Sequence, residues 1–368
     1  MTDVRVVHVV ASDQRRGAEV FAADLVRALA DRGAHQEVVA LRRGGGAKVE
    51  FAAPTTVLAC PPAAARAAAW AVWGLRRSVA RGRGVVVCAH GGEALRAAVL
   101  AGAGPIVYRR IGAAPPSITT GPRRLWHRWL MGRAALVLCV AEAVRDETLD
   151  VFGLPPPRVR TVPNGVDPDR MARPDRAACR AAVGVEADAR VVLSLGSLSW
   201  EKDPMRALRI TAASRSGHGG GVHLLVGDGP LADAVRAAAA GDATVRLLPA
   251  RGDVGVVLGA ADVLLLCSRP DGMEGMPAVV IEAGLCGVAV VADRIAGVAE
   301  VVVDGESGVL VAPGDDAAAS AAVSSLLADD ARRMAMGASA ASRCTEQFAI
   351  GPVADDYLDA FAEAAAGS

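Results

Sequence analysis

Two glutamates, Glu274 and Glu282, are separated by seven residues in the segment Asp271-Gly-Met-Glu-Gly-Met-Pro-Ala-Val-Val-Ile-Glu-Ala-Gly284. The Gly-Met-Pro stretch between them predicts a turn, and the apolar run Ala278–Ile281 predicts a buried helix after it. The start of such a helix has backbone N–H groups without intrahelical partners, and these bind anions. Glu274, in the turn, faces whatever lies in front of the helix. Glu282, about two turns further on, can point along the same wall. Carboxylates suit hydroxyls and N–H groups suit phosphate oxygens, so one fitting ligand is a sugar linked to a diphosphate. A helical glutamate amid Val279, Val280 and Ile281 is costly to bury without a partner. Its alternative is satisfaction by local backbone, and for Glu274 the alternative is an exposed loop acid.

Four more positions carry the same kind of signal. Gly196 closes the apolar run Val191–Leu195, and Lys202 follows six residues later near an expected helix start. A lysine there opposes the helix dipole, but it can set a point charge on a phosphate. The chain has only two lysines, Lys48 and Lys202. Gly17 follows the first apolar run, where a missing side chain admits a diphosphate to the positive end of the next helix. His90 closes the run Val85–Ala89. Ligands of open α/β sheets bind beyond the carboxyl ends of the strands. A surface lysine and a structural histidine are the plainer alternatives.

The form E-G-M-P-x-x-x-x-E-A resembles the signature of the retaining GT-B glycosyltransferases of family 4, the "group 1" family. Other segments fall in that family's order. They are Val162-Pro-Asn-Gly-Val-Asp167, Leu195-Gly-Ser-Leu-Ser-Trp-Glu-Lys-Asp203, Val226-Gly-Asp-Gly-Pro230, Ala260-Ala-Asp-Val-Leu264 and Asp304-Gly-Glu-Ser-Gly-Val-Leu310. The first half matches only at Gly17-Ala-Glu19 and Ala89-His90-Gly91. The resemblance implies a GT-B fold, with two doubly wound Rossmann-like α/β domains facing a cleft. It also implies transfer of a sugar from a nucleotide-diphosphate sugar (UDP-, GDP- or ADP-linked) to an unidentified hydroxyl acceptor. No cofactor is expected, since the nucleotide sugar is a substrate.

By the same resemblance Glu274 touches only the transferred sugar, and His90 contacts that sugar too. Glu282 holds the ribose, and the N–H groups of Gly275 and Met276 meet sugar hydroxyls or phosphate. Gly196, Ser197 and Lys202 form the phosphate segment, where Ser197 replaces the family's usual arginine; Trp200, Arg206 or Arg269 are candidates to compensate. Arg251 sits where the base-binding loop falls. Asp167-Pro-Asp169 spells a D-x-D metal motif but reads as linker, so no metal is expected. Two other readings stay open: a GT-B sugar-nucleotide epimerase or hydrolase, and a non-catalytic partner in a biosynthetic complex.

The elements that must position these residues follow from the hydrophobic pattern. Apolar runs such as Val4–Val10, Val85–Ala89, Ile106–Tyr108 and Leu136–Val140, then Val191–Leu195, His223–Val226, Val263–Cys267 and Ala289–Ala292, alternate with alanine-rich helical stretches. Strands apolar on both faces and separated by helices imply parallel sheets covered on both sides. The expected organisation is an acceptor-side domain over residues 1–165 and a nucleotide-sugar domain over 166–347. A tail over 348–368 crosses back, by resemblance, to the first domain. A turn is expected at Asn164-Gly165.

The 368 residues are 52% hydrophobic, and no apolar run reaches the roughly 18 uncharged residues of a membrane span. The first ten residues read as a strand rather than a secretion signal. The seven cysteines are scattered, as expected of small core residues in a reduced cytoplasmic protein. Net charge is zero, but residues 1–170 hold 24 Lys and Arg against 14 Asp and Glu, a net +10, and the rest is −10. Two basic aromatic segments lie in the positive half: Arg66–Arg83, with Trp70, Trp73, Arg76, Arg77 and Arg81, and Arg123–Arg133. Docking on an anionic membrane at its inner face and packing as helices with core tryptophans fit them equally. No nucleic-acid partner is expected.

Overall fold

The computed structural model describes residues 4–58, 64–79, 84–215 and 221–367. Cys60, Arg81, Arg83 and the side chain of Arg66 lie outside the described residues. The chain forms two compact units, one of Met1–Gly165 with Ile350–Ser368 and one of Val166–Ala349.

In the first unit the strands are β1 (Arg5–Ser12), β2 (His35–Arg42), β3 (Thr55–Val57), β4 (Val85–His90), β5 (Ile106–Arg110), β6 (Leu136–Cys139) and β7 (Val159–Thr161). They form one parallel sheet in the order β3-β2-β1-β4-β5-β6-β7. All six residues of β4 are buried, as a strand covered on both faces requires. The crossover direction reverses between β1 and β4, and such a switch point is where ligands settle in this architecture. The helix Gly17–Ala30 packs Phe21, Leu25 and Leu29 into a core shared with Val353, Tyr357 and Phe361 of the final helix Ile350–Ala366. Burying each such side chain is worth roughly 1.5–3 kcal/mol, which ties the final helix into this unit. Arg32 adds an ion pair to Asp355 at 2.7 Å and a hydrogen bond to the Gly351 carbonyl at 2.8 Å.

Asn164-Gly165 does not form the expected turn; the chain passes through it without one. Asn164 instead accepts a 2.6 Å hydrogen bond from the buried Arg109. A Cβ on Gly165 would come within 2.9 Å of Ile350, so the glycine makes room for the final helix.

The second unit holds β8 (Val191–Leu195), β9 (Val222–Val226), β10 (Val245–Leu248), β11 (Val263–Leu266), β12 (Ala289–Asp293) and β13 (Gly308–Val311). Their order is β10-β9-β8-β11-β12-β13, again parallel, with the switch point between β8 and β11. Asp262 pins the amino ends of these two strands. It accepts the Val191 N–H at 2.8 Å and pairs with Arg176, Arg180 and Arg333. A buried carboxylate survives only with such partners, so the Ala260–Leu264 motif serves the sheet, at the end opposite the switch-point loops.

Among the described residues six cysteines are free and buried. No helix among them is long and apolar enough to cross a membrane.

Candidate functional site

The site in the second unit is built from loops at the carboxyl ends of β8, β9 and β11. The chain leaves β8 at Gly196 and reaches Lys202 through the short 3₁₀ turn Trp200–Lys202. The loop after β9 touches it: Gly196 N–H donates to the Val226 carbonyl at 3.0 Å and Leu198 N–H to that of Asp228 at 2.9 Å. A Cβ on Gly227 would lie 1.8 Å from the Gly196 carbonyl oxygen, so the Val226–Pro230 motif needs glycine for this approach. From β11 the chain continues through Cys267 and Ser268 to Pro277, and Arg269 N–H donates to the Glu201 carbonyl at 2.9 Å. A Cβ on Gly297 would lie 1.5 Å from the Gly275 carbonyl oxygen. That glycine therefore lets the helix Ala296–Val301 seat against Gly275 and Met276.

These loops bring Lys202 and Glu274 together. The Lys202 Nζ forms an ion pair with one Glu274 oxygen, and the Ser268 hydroxyl donates to the other. The two flanking residues are the only described non-glycine residues with positive φ, Asp203 at 37° and Met273 at 57°. Such backbone costs of order 1–3 kcal/mol and persists where the surroundings impose it, often at functional sites. Gly196, Ser197, Lys202, Leu265 and Cys267 line one hollow beside the pair. Burial pushes the Cys267 thiol up to about 12, so it stays neutral there. The helix Ala278–Leu285 begins after Pro277 with no side-chain cap.

Other expected residues lie elsewhere. Glu282 is buried on that helix, and its partner is Arg170 at 3.0 Å, from the 3₁₀ turn Pro168–Met171. The premise that it lacks a protein partner is thereby corrected. Arg251 is held by Asp253 through two hydrogen bonds of 2.9 and 2.6 Å. Asp167 accepts the Asp169 N–H at 2.9 Å and caps its turn. Gly17 and His90 belong to the first unit, at the start of the helix after β1 and the end of β4. A Cβ on Gly17 would meet nothing within 4 Å, so the fold itself makes no steric demand for glycine there. His90 is buried, and its Nε2 lies 3.1 Å from His8 Nδ1. Burial first, with His8 and Arg109 adding, drives its pKa well below the ordinary range.

Comparison with known proteins assigns the chain. Residues 15–170 match the family described as Glycosyltransferase Family 4, and residues 189–329 match Glycosyl transferases group 1. The chain belongs to the group 1 glycosyltransferases. Its relatives include the D-inositol 3-phosphate glycosyltransferase of Kineococcus radiotolerans, 35% identical over 61% of this chain and 56% of that protein. The enzyme of the same name from Saccharomonospora viridis is 37% identical over 45% and 41%. The chain thus spans about half the length of the curated relatives it matches. Among solved structures, Anabaena HepE in complex with UDP and glucose superposes with a TM-score of 0.78 at 20% identity, covering 98% of this chain and 99% of that one. Sucrose-phosphate synthase from Thermosynechococcus elongatus gives 0.81 at 19%, covering 99% and 100%. These establish the two-domain GT-B fold.

For this group 1 glycosyltransferase, sequence reasoning missed Arg170 and Ser268, which hold Glu282 and Glu274. The basic residue directly after Asp167-Pro-Asp169 was the available signal for the first; nothing local marks Ser268. It also offered Arg206 as a substitute for the family arginine at Ser197. Arg206 is instead buried between Asp293 and Asp316, which commits its charge to the core. Arg269 stacks 4.5 Å from the Trp200 ring, on the loop that carries Glu274, and pairs with Asp203 at 3.5 Å and Asp271 at 3.3 Å.

Proposed function

We propose that this glycosyltransferase moves a sugar from a nucleotide-diphosphate sugar to a hydroxyl acceptor, with retention of anomeric configuration. The observation that carries this reading is the Lys202–Glu274 pair beside the hollow at the β8/β11 switch point. Lys202 meets the diphosphate and Glu274 the transferred sugar. The backbone N–H groups of Gly275, Met276 and the following helix start supply further donors, and Glu282 with Arg170 lies along the ribose. Lys202 and the helix dipole stabilise charge on the leaving diphosphate, and the loops supply orientation. The departing phosphate takes the acceptor proton as the hydroxyl attacks the same face. HepE was solved with UDP and UDP-glucose, so a uridine nucleotide is the first to test, before guanosine and adenosine. The relatives' name makes a phosphorylated inositol the first acceptor to try. Incubation with UDP-sugars and acceptor, read by the product's anomeric configuration, tests the proposal. Epimer or free sugar formed at catalytic rates without acceptor would favour the epimerase or hydrolase reading.

Metal is not part of this scheme, which reads Asp167-Pro-Asp169 as a linker turn capped by the Asp167 carboxylate. EDTA is expected to leave transfer rates within about twofold. An absolute Mg²⁺ or Mn²⁺ requirement that Asp167→Ala abolishes would overturn this.

We also place the first unit on an anionic membrane. Core packing does not explain its tryptophans: Trp70 and Trp73 are 51% and 50% exposed, and Trp126 and Trp129 are 43% and 40%. They lie on the helices Ala64–Ser78 and Gly121–Met131, with Arg77 stacked on Trp73 and Arg133 on Trp129. Exposed indoles beside arginines suit a headgroup layer. Binding to phosphatidylglycerol vesicles is expected to weaken as salt rises and to fall severalfold when Arg123, Arg124 and Arg128 are changed to serine. Absence of binding at low salt would favour a soluble acceptor and a protein partner for this face.

A further inference from the structure

His8 is a polar residue in the middle of the apolar run Val6–Ala11 of β1, and a chain of hydrogen bonds explains it. The Gln36 amide nitrogen donates to the Val26 carbonyl at 2.8 Å. A carbonyl only accepts, so the amide oxygen of Gln36 must face the other way, towards His8 Nε2 at 3.1 Å. His8 therefore carries its proton on Nε2, and its Nδ1 is a bare lone pair. That lone pair lies 3.1 Å from His90 Nε2, so His90 Nε2 must be the donor. Both rings are neutral: burial lowers the His8 pKa to about 4, against a smaller opposite effect of Gln36, and holds His90 low as well. Two protons thus occupy the only positions the network allows, and His90 Nδ1 is left bare. It is buried, at the carboxyl end of β4, with no partner among the described residues. Its neighbour in register on β5 is Arg109, whose Nε and one terminal nitrogen also lack partners there.

We propose that Gln36 and His8 are positioning residues that lock His90 as its Nε2–H tautomer, so that the bare Nδ1 accepts a hydrogen bond from a ligand hydroxyl and rejects anionic oxygen. That the hydroxyl belongs to a substrate rests on the function proposed above; the tautomer does not. A lone pair facing a phosphate or carboxylate oxygen repels it, whereas a hydroxyl can donate to Nδ1 and accept from a neighbouring donor. Which ring nitrogen of a histidine carries the proton is set by the hydrogen bond that the other nitrogen makes.

The same three-residue cluster has the spacing of a metal site. Ligand atoms of His8, Cys88 and His90 lie within 4.8 Å of one another. A metal between the rings would strip the proton from His90 Nε2 and leave it on Nδ1. The Cys88 thiol, pushed up to about 12 by burial, is a poor ligand at neutral pH.

The test is ¹⁵N-histidine NMR of the native full-length protein without nucleotide, so its outcome does not depend on the enzymatic reading. The expected spectrum shows His8 and His90 both as Nε2–H tautomers, unchanged by EDTA. An Nδ1–H tautomer for His90, or a spectrum that EDTA alters, overturns the proposal. Gln36→Leu removes the acceptor and is expected to mix the tautomers and lower kcat/KM about tenfold, with unchanged nucleoside-diphosphate affinity. Gln36→Glu, protonated in the core, can accept from His8 and donate to Val26. It is expected to restore the single tautomer and bring kcat/KM to within about threefold of the parent. Equal kcat/KM in the Leu and Glu variants would reduce the chain to a packing role.

Discussion

Lys202→Ala is expected to lower kcat about a hundred- to a thousandfold, the usual loss when a preorganised charge facing a developing anion is removed. KM for the sugar nucleotide should change far less. The diphosphate gains its last negative charge only as the glycosidic bond breaks, so the ammonium is worth more in the transition state than in the bound substrate. Ser197 gives this chain no side-chain cation at the family's usual place, and Arg206 is spent on Asp293 and Asp316. The dependence on Lys202 is correspondingly steep. Steady-state kinetics with the best sugar nucleotide would show it. A rise in KM at constant kcat would mean that Lys202 binds substrate and transition state alike. Circular dichroism of the variant separates this from misfolding.

The second large effect belongs to Glu274→Gln, and here the structure changes the expectation. By resemblance Glu274 touches only the sugar, so its loss should leave nucleoside-diphosphate affinity nearly unchanged. The ion pair puts Glu274 on the Lys202 ammonium, which the proposed function assigns to the diphosphate. On that proposal an incoming diphosphate has to take Lys202 from it. The amide keeps an acceptor for the Ser268 hydroxyl but gives up the charge. Affinity for the free nucleoside diphosphate is therefore expected to rise severalfold, while turnover falls about a hundredfold through the lost contact to the sugar. Titration calorimetry and kinetics on one variant read both. Weaker nucleotide binding in Glu274→Gln would show that the carboxylate holds the loop in its binding shape rather than competing for the lysine.

Much of this architecture was legible because buried parallel strands are apolar on both faces. Val85–Ala89, Val191–Leu195 and Val263–Cys267 could be picked out as runs, and each became a strand ending at a candidate site residue or loop. Strands β2, β3, β7, β10 and β13 were not picked out; in β2, β3 and β10 the apolar pattern is interrupted by His35 and Glu37, by the exposed Thr55 and Thr56, and by Arg246. The phosphate segment and the Glu274 turn were readable as motifs, since glycines and charges there answer to local backbone demands. Partnerships across the fold were not. Nothing near Glu282 in sequence announces Arg170, 112 residues away, and Arg206 looked available until Asp293 and Asp316 closed on it. His8 was read only as part of an apolar strand. Its significance depends on Gln36 and His90, which only the parallel register of β1 with β2 and β4 brings alongside.

The most direct test of the account is calorimetric titration of UDP, with GDP and ADP in parallel, into the native protein and into Lys202→Ala. The free diphosphate carries the full charge of the leaving group, so its affinity reports the lysine more sharply than the intact sugar nucleotide does. One nucleoside diphosphate is expected to bind at a single site per chain and to lose at least tenfold in affinity when Lys202 is removed. No binding by any of the three, or equal affinity for native protein and variant, would contradict the placement of the nucleotide beside Lys202 and Glu274.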